Sequence, residues 1–214
     1  MKSLEVCLTP DLVKTYGVEN KVVVVVDILR ATSVMTTALA HGIKSITPVA
    51  TVEECQALKD KGYLAAAERD GKTVEGFDFD NSPFTYMDKR LAGKKLAVTT
   101  TNGTLAITRS VSANEVVIGS FLNISAVASY LKNQPYDVLI LCAGWKGKVN
   151  LEDTIFAGAL VEMLGEDFDI ENDSAIAALA LYKLSKDNML SYLKNSSHAK
   201  RLSGLSIVKD ISFC

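Results

Sequence analysis

The stretch Val22–Thr37, VVVVVDILRATSVMTT, constrains the fold more than any other part of the chain. Five consecutive valines are too apolar and too β-branched for anything but a strand buried on both faces, as at the centre of a parallel sheet. The run delivers Asp27, Arg30 and the pair Thr32-Ser33 to a helical pattern that carries on to His41-Gly42. A strand that hands a carboxylate, a guanidinium and two hydroxyls to a helix start places them beyond the carboxyl end of a sheet, where open α/β folds bind ligands. Each residue also has a plainer use: Asp27 as a helix cap, Arg30 in a surface ion pair. The site reading draws its weight from further loops of the same kind.

Apolar runs predict strands at 3–8, 45–50, 63–67, 95–99, 115–118 and 137–142. Between them, helical patterns cover 51–61, 83–91, 105–111, 123–132 and 151–164, the first opened by a Thr51/Glu54 capping box and the second by Ser82-Pro83. Residues 9–20 read as a loop with a turn at Gly17, and 72–82 as a polar loop without period. The region 172–195 is helical, 197–204 adds a short helix, and 206–213 fits a final edge strand. This alternation predicts an α/β fold of three layers, a mostly parallel sheet with helices on both faces and a helical C-terminal part. With 48% hydrophobic residues, the 214-residue chain can bury one sizeable core. A single domain over 1–214 is expected, with room for a smaller lobe from about residue 166.

Composition removes several functions. The 23 basic and 25 acidic residues give a net charge of −2 without a basic cluster, which argues against nucleic acid. The valine run is too short to span a bilayer and MKSLEVCLTPDL lacks an apolar signal core, so no membrane partner and a cytoplasmic location are expected. Cys7, Cys55, Cys142 and Cys214 form no CxxC pair and read as reduced thiols. The two histidines, His41 and His198, lie in no loop with other polar candidates, which disfavours a serine or cysteine triad. Neither GxxxxGK[ST] nor GxGxxG occurs, so nucleoside triphosphates and dinucleotides lose support. Ala175–Leu184 is apolar on more than one face, which suits a homo-oligomer and a larger core equally.

Two groups of loops carry chemistry. The segment Thr99–Thr104, TTTNGT, offers hydroxyls, turn amides and a helix start through Thr100, Thr101, Asn102, Gly103 and Thr104, all suited to an anion. Alone, it reads better as an ordinary threonine-capped turn. Arg30 with Thr32 and Ser33 is a second anion candidate. The other group is acidic: Asp27, Glu68, Asp78, Asp80, Glu152 and Asp153 lie at strand ends, in loops or in the first turn of a helix. Mg²⁺ sites need only one or two carboxylates beside waters and substrate oxygens. Glu152 and Asp153 point about 100° apart on a helix, and either can instead complement its dipole.

The segments VVDILRATSVMTTAL, AAERDGKTVEGFDFDNSPF, VTTTNGT and CAGWKGKVNLEDTIFAGAL, in this order and at these separations, resemble the 2-phosphosulfolactate phosphatase family over nearly the whole chain. The chain departs from the family's pattern at Asp80 and Ala67, where glycine is expected, which bears on substrate fit more than on fold. The resemblance implies a Mg²⁺-dependent hydrolase that releases phosphate from (R)-2-phospho-3-sulfolactate on the sulfolactate branch toward coenzyme M. Asp27, Arg30 and Glu152 are then the catalytic candidates, and Asp27, Glu68, Glu152 and Asp153 the candidates for the metal. Asp27 suits either a nucleophile or the base that readies water. A substrate with carboxylate and sulfonate needs further donors, for which Arg69, Asn81, Ser82, Gly144, Lys146 and Lys148 are available. Two other readings stand beside this one: a phosphatase for another small phosphorylated acid, and a non-catalytic anion-binding module. The acids in the loops oppose the module, since they repel an anion.

Overall fold

The computed structural model describes residues 1–170, 172–194, 196–202 and 208–214. Its strands are β1 (Lys2–Cys7), β2 (Lys21–Val26), β3 (Ser45–Pro48), β4 (Leu64–Arg69), β5 (Lys72–Thr73), β6 (Lys95–Thr99), β7 (Glu115–Gly119), β8 (Asp137–Cys142) and β9 (Phe168–Ile170). The helices are α1 (Val13–Tyr16), α2 (Ala31–Ala40), α3 (Val52–Lys59), α4 (Gly103–Thr108), α5 (Ile124–Lys132), α6 (Leu151–Leu164), α7 (Asp173–Ser185), α8 (Met189–Leu193), α9 (Ser197–Leu202) and α10 (Val208–Phe213).

The valine run lies where its composition requires. In a five-stranded parallel sheet of order β7-β2-β8-β1-β9, β2 pairs with β7 on one side and β8 on the other. Val22 to Val26 are all fully buried. Val22, Val24 and Val26 pack with Phe156 and Leu160 of α6, while Val23 and Val25 pack with Val13 of α1 and Ala106 of α4. Burying each valine stabilises the fold by roughly 1.5–3 kcal/mol, so this strand anchors whatever follows it.

The other strands form a separate sheet of order β3-β6-β4-β5, where the single parallel sheet read from the sequence would have taken them in. Strand periodicity identifies strands but not their partners. Helix α2 joins the two sheets: Val34, Met35 and Ala38 pack with Ala66, Leu96 and Val98 of the second sheet, with Ile118 of β7 against the same cluster. Helices cover both faces of the five-stranded sheet.

Several local expectations are corrected. Residues 9–20 contain a 3-10 turn, Pro10–Leu12, and α1. The 72–82 loop opens with β5, which pairs back on β4 across Asp70-Gly71, both with positive φ (52° and 83°), the two-residue hairpin turn that Asp-Gly favours. After Ser82 come two 3-10 turns, Pro83–Met87 and Lys89–Leu91, in place of one helix. Strand β9 is too short to show a period, and it extends the first sheet beside β1. The 172–195 pattern divides into α7, a 3-10 turn at Lys186–Asn188 and α8, with Asn195 outside the described residues. The 197–204 helix is α9, with 203–204 outside them. The proposed edge strand is helix α10 from Val208, with 206–207 outside the described residues. The Thr51/Glu54 capping box is present. Among the described residues no helix is long and apolar enough to cross a membrane.

Candidate active site

A pocket opens at the carboxyl ends of β2, β4, β6 and β8, lined by Asp27, Leu29, Arg30, Glu68, Asp70, Gly71, Asn81, Thr101, Asn102, Gly144, Trp145, Asn150 and His198. Four loops separated widely in sequence therefore meet, two from the carboxyl ends of each sheet.

Asp27 ends the valine strand and is 8% exposed. The turn after it is built by its neighbours: Thr32 Oγ1 donates to the Asp27 carbonyl (2.9 Å) and Ser33 Oγ to that of Ile28 (2.8 Å). These hydroxyls shape the turn and do not line the pocket. A Cβ on Gly103 would lie 2.9 Å from Asp27 Oδ2 and 2.7 Å from the Ala31 Cβ, so glycine there lets α4 approach the carboxylate. Burial pushes Asp27 up to about 6; His198 opposes the shift, and Glu68 and Glu152 add to it.

Behind Asp27 lie two fully buried acids on the first turn of α6. Asp153 is filled by backbone donors, Oδ1 by the Ile28 N–H (2.9 Å) and Oδ2 by that of Gly144 (3.1 Å), so it ties the β2 and β8 loops together. Burial, Glu152 and Asp27 push its carboxyl well above the usual range. Glu152 Oε1 bonds His198 Nδ1, and Glu152 Oε2 is buried with no hydrogen-bond partner among the described residues. Asn150 Nδ2 also approaches His198 Nδ1, at 3.4 Å. His198 shares no loop with the other polar candidates, yet α9 brings it into the pocket from far along the chain. Nothing local in Ser197–Leu202 signals this, because the partners are 46 and 48 residues away.

The Thr99–Thr104 loop is already occupied. Thr104 N–H donates to Thr100 Oγ1 (3.3 Å) and Thr104 Oγ1 to the Thr100 carbonyl (2.8 Å), a self-capped turn whose two threonines are buried outside the pocket. Thr101 faces inward and donates through N–H and Oγ1 to Glu68, at 3.4 and 3.2 Å, and Gly71 N–H donates to Glu68 as well. Of the turn amides expected to hold an anion, that of Thr101 meets a carboxylate of the protein and that of Thr104 a threonine hydroxyl.

The remaining candidates divide. Asn81, Asn102 and Gly144 line the pocket, as do the unanticipated Leu29, Asp70, Gly71, Trp145 and Asn150. Arg69 faces a neighbouring cleft and bonds the Glu68 carbonyl (2.7 Å) and Thr99 Oγ1 (3.0 Å). Lys146 pairs with Asp70 at 2.6 Å, an exposed bridge across the pocket mouth. Ser82 and Arg30 both bond Asp210 of α10. Asp78 pairs with Lys59 at 3.0 Å, and Asp80 Oδ1 accepts from Thr85 (2.6 Å).

The donor set bears on a metal. Asp27, Glu68 and the orphaned Glu152 Oε2 are hard oxygens, matched to Mg²⁺ rather than a softer ion. Among the described residues no three His, Cys, Asp or Glu side chains converge as a ready metal cage. One or two carboxylates with water and substrate oxygens fit this arrangement, and a closed protein site does not.

Fold and pocket together are those of an α/β enzyme with an acid-lined cleft at the strand ends. The family model described as 2-phosphosulpholactate phosphatase matches residues 7–214, and the chain belongs to that family. A probable 2-phosphosulfolactate phosphatase of Caldanaerobacter subterraneus subsp. tengcongensis is 43% identical over 201 residues, covering 92% of this chain and 83% of its own. One of Thermotoga petrophila is 42% identical over 197 residues, with 92% and 85% covered. A third, of Clostridium acetobutylicum, is 39% identical over 216 residues, with 99% and 92% covered.

Proposed function

We propose that the chain hydrolyses (R)-2-phospho-3-sulfolactate to 3-sulfolactate and phosphate with Mg²⁺, as a cytoplasmic step toward coenzyme M. The observation that carries this reading is the charge imbalance of the pocket. Asp27 and Glu68 line it, with Glu152 behind, whereas Lys146 and Asp70 cancel each other and Arg30 shares its charge with Asp210. An anionic ester cannot enter such a site without a cation to offset the repulsion.

Asp27 with one of Glu68 or Glu152 would hold Mg²⁺ beside water and substrate oxygens, and the ion would offset the charge of the phosphoryl oxygens. Asp153 keeps the two loops in register through its backbone bonds. Asp27, shifted toward neutrality by burial, takes a proton from the attacking water as the new P–O bond forms. His198, fixed by Glu152 through Nδ1, returns a proton to the C2 oxygen as the old P–O bond breaks. Arg30 and Asn81 contact the anionic groups of the substrate.

A comparison of phosphate release from phosphosulfolactate, phospholactate and 2-phosphoglycerate tests the substrate. Phosphosulfolactate is expected to give the highest kcat/KM. Equal values for all three would replace it by a general phosphorylated acid, and tight binding without release would leave an anion receptor.

A further inference from the structure

Arg30 and Asn81 belong to different loops, and what fixes their walls against each other comes from the last helix. Asp210 of α10 is 5% exposed and uses both oxygens: Oδ2 accepts from Arg30 Nη1 and Oδ1 from Ser82 Oγ at 2.9 Å. Arg30 and Asn81, the neighbour of Ser82, line the pocket, whereas Asp210 does not. Helix α10 is itself anchored. Phe213 packs on Phe84 with ring centroids 5.1 Å apart, and Ile211 and Cys214 lie against the core of the five-stranded sheet.

We propose that Asp210 is a positioning residue for the hydrolysis, holding Arg30 and the Asn81-Ser82 loop at the spacing that an anionic substrate meets. The inference rests on the function proposed above. A guanidinium has five N–H donors in a rigid fork, so one nitrogen held by Asp210 fixes the plane in which the others are offered. A buried guanidinium also requires a countercharge, and α10 supplies it from outside the pocket, so no lining position is taken up by it. Substrate then meets an arginine that is already oriented, and the ordering cost is not charged to binding.

Asp210→Asn keeps shape and the acceptor for Ser82 while removing the charge. It should raise KM for phosphosulfolactate about 10-fold and change kcat by less than about 3-fold, since the lost interaction is the same in ground and transition states. Asp210→Glu should recover part of the loss, and Ser82→Ala, which leaves the ion pair intact, should raise KM by about 2-fold. In a double-mutant cycle the effect of Asp210→Asn should largely disappear in an Arg30→Lys background, because a merely structural role would add instead. An active parent with unchanged KM in Asp210→Asn overturns the inference, as does a lowered KM, which would make Asp210 a competitor of the substrate for Arg30. Additive losses in the cycle overturn it too. Should Asp210→Asn fail to fold, Ser82→Ala and Asp210→Glu decide by the same KM criterion. If the parent releases no phosphate from phosphosulfolactate, the proposed function fails instead. Calorimetry with inorganic phosphate then decides on Asp210 alone: an affinity about 10-fold weaker in Asp210→Asn supports positioning, and an equal one contradicts it.

Discussion

The two walls of the pocket use the same kinds of side chain in opposite surroundings. On the wall built by the five-stranded sheet, Asp27, Glu152 and Asp153 are almost wholly withdrawn from water, and burial holds Asp27 near 6. On the wall built by the four-stranded sheet, Glu68 is wrapped by the donors of Thr101 and Gly71, and Asp70 meets Lys146 with both side chains more than half exposed. Charge is costly and poised on the first wall; on the second it is solvated or already satisfied. The function proposed above draws its proton transfer from the buried wall.

Asp27→Asn gives the sharpest contrast. Turnover should fall by at least about 10²-fold while the fold persists, measured as steady-state phosphate release. Near-normal turnover would move the chemistry off the buried wall. The same variant tests the burial cost directly. With a folded pKa near 6 and an ordinary value of 3.8, the folded state holds the Asp27 proton more tightly than the unfolded chain. That stabilising contribution is complete below about 4 and is lost as pH rises through 6. In chelator, Asp27→Asn should therefore exceed the parent in urea stability at pH 8 by about 3 kcal/mol, with the gain fading by pH 4. A gain independent of pH would mean that Asp27 is not a buried charge.

Smaller effects follow on the same scale. Arg30→Lys keeps charge but loses the planar fork, so kcat/KM should drop about 10-fold; an unchanged value would reduce Arg30 to a structural partner of Asp210. Asp70→Asn breaks only an exposed bridge, so kcat/KM should change by less than about 2-fold. A large loss there would erase the difference between the walls.

The sequence makes the buried wall more legible than the other. Five valines have one physical use, so the strand, the turn after it and the placement of Asp27 and Arg30 follow from composition. The Thr99–Thr104 loop was legible as a donor-rich turn but not for what fills it, because Glu68 comes from another strand. The Asp70-Gly71 hairpin carried a local signal that the polar composition of 72–82 obscured. His198 and Asp210 had none: a lone histidine and a lone aspartate in short C-terminal helices acquire their partners only through tertiary packing. The division of strands between two sheets was hidden for a similar reason, since pairing is not encoded within any one strand.

If the buried acids serve a cation and an anionic ester together, phosphate release from (R)-2-phospho-3-sulfolactate must depend on a metal that a chelator removes. The expected result is loss of activity in EDTA and recovery with Mg²⁺ or Mn²⁺ but poorly with Zn²⁺, because the donors are oxygens. A rate untouched by chelator would contradict it and leave Glu152 as an orienting partner of His198 alone.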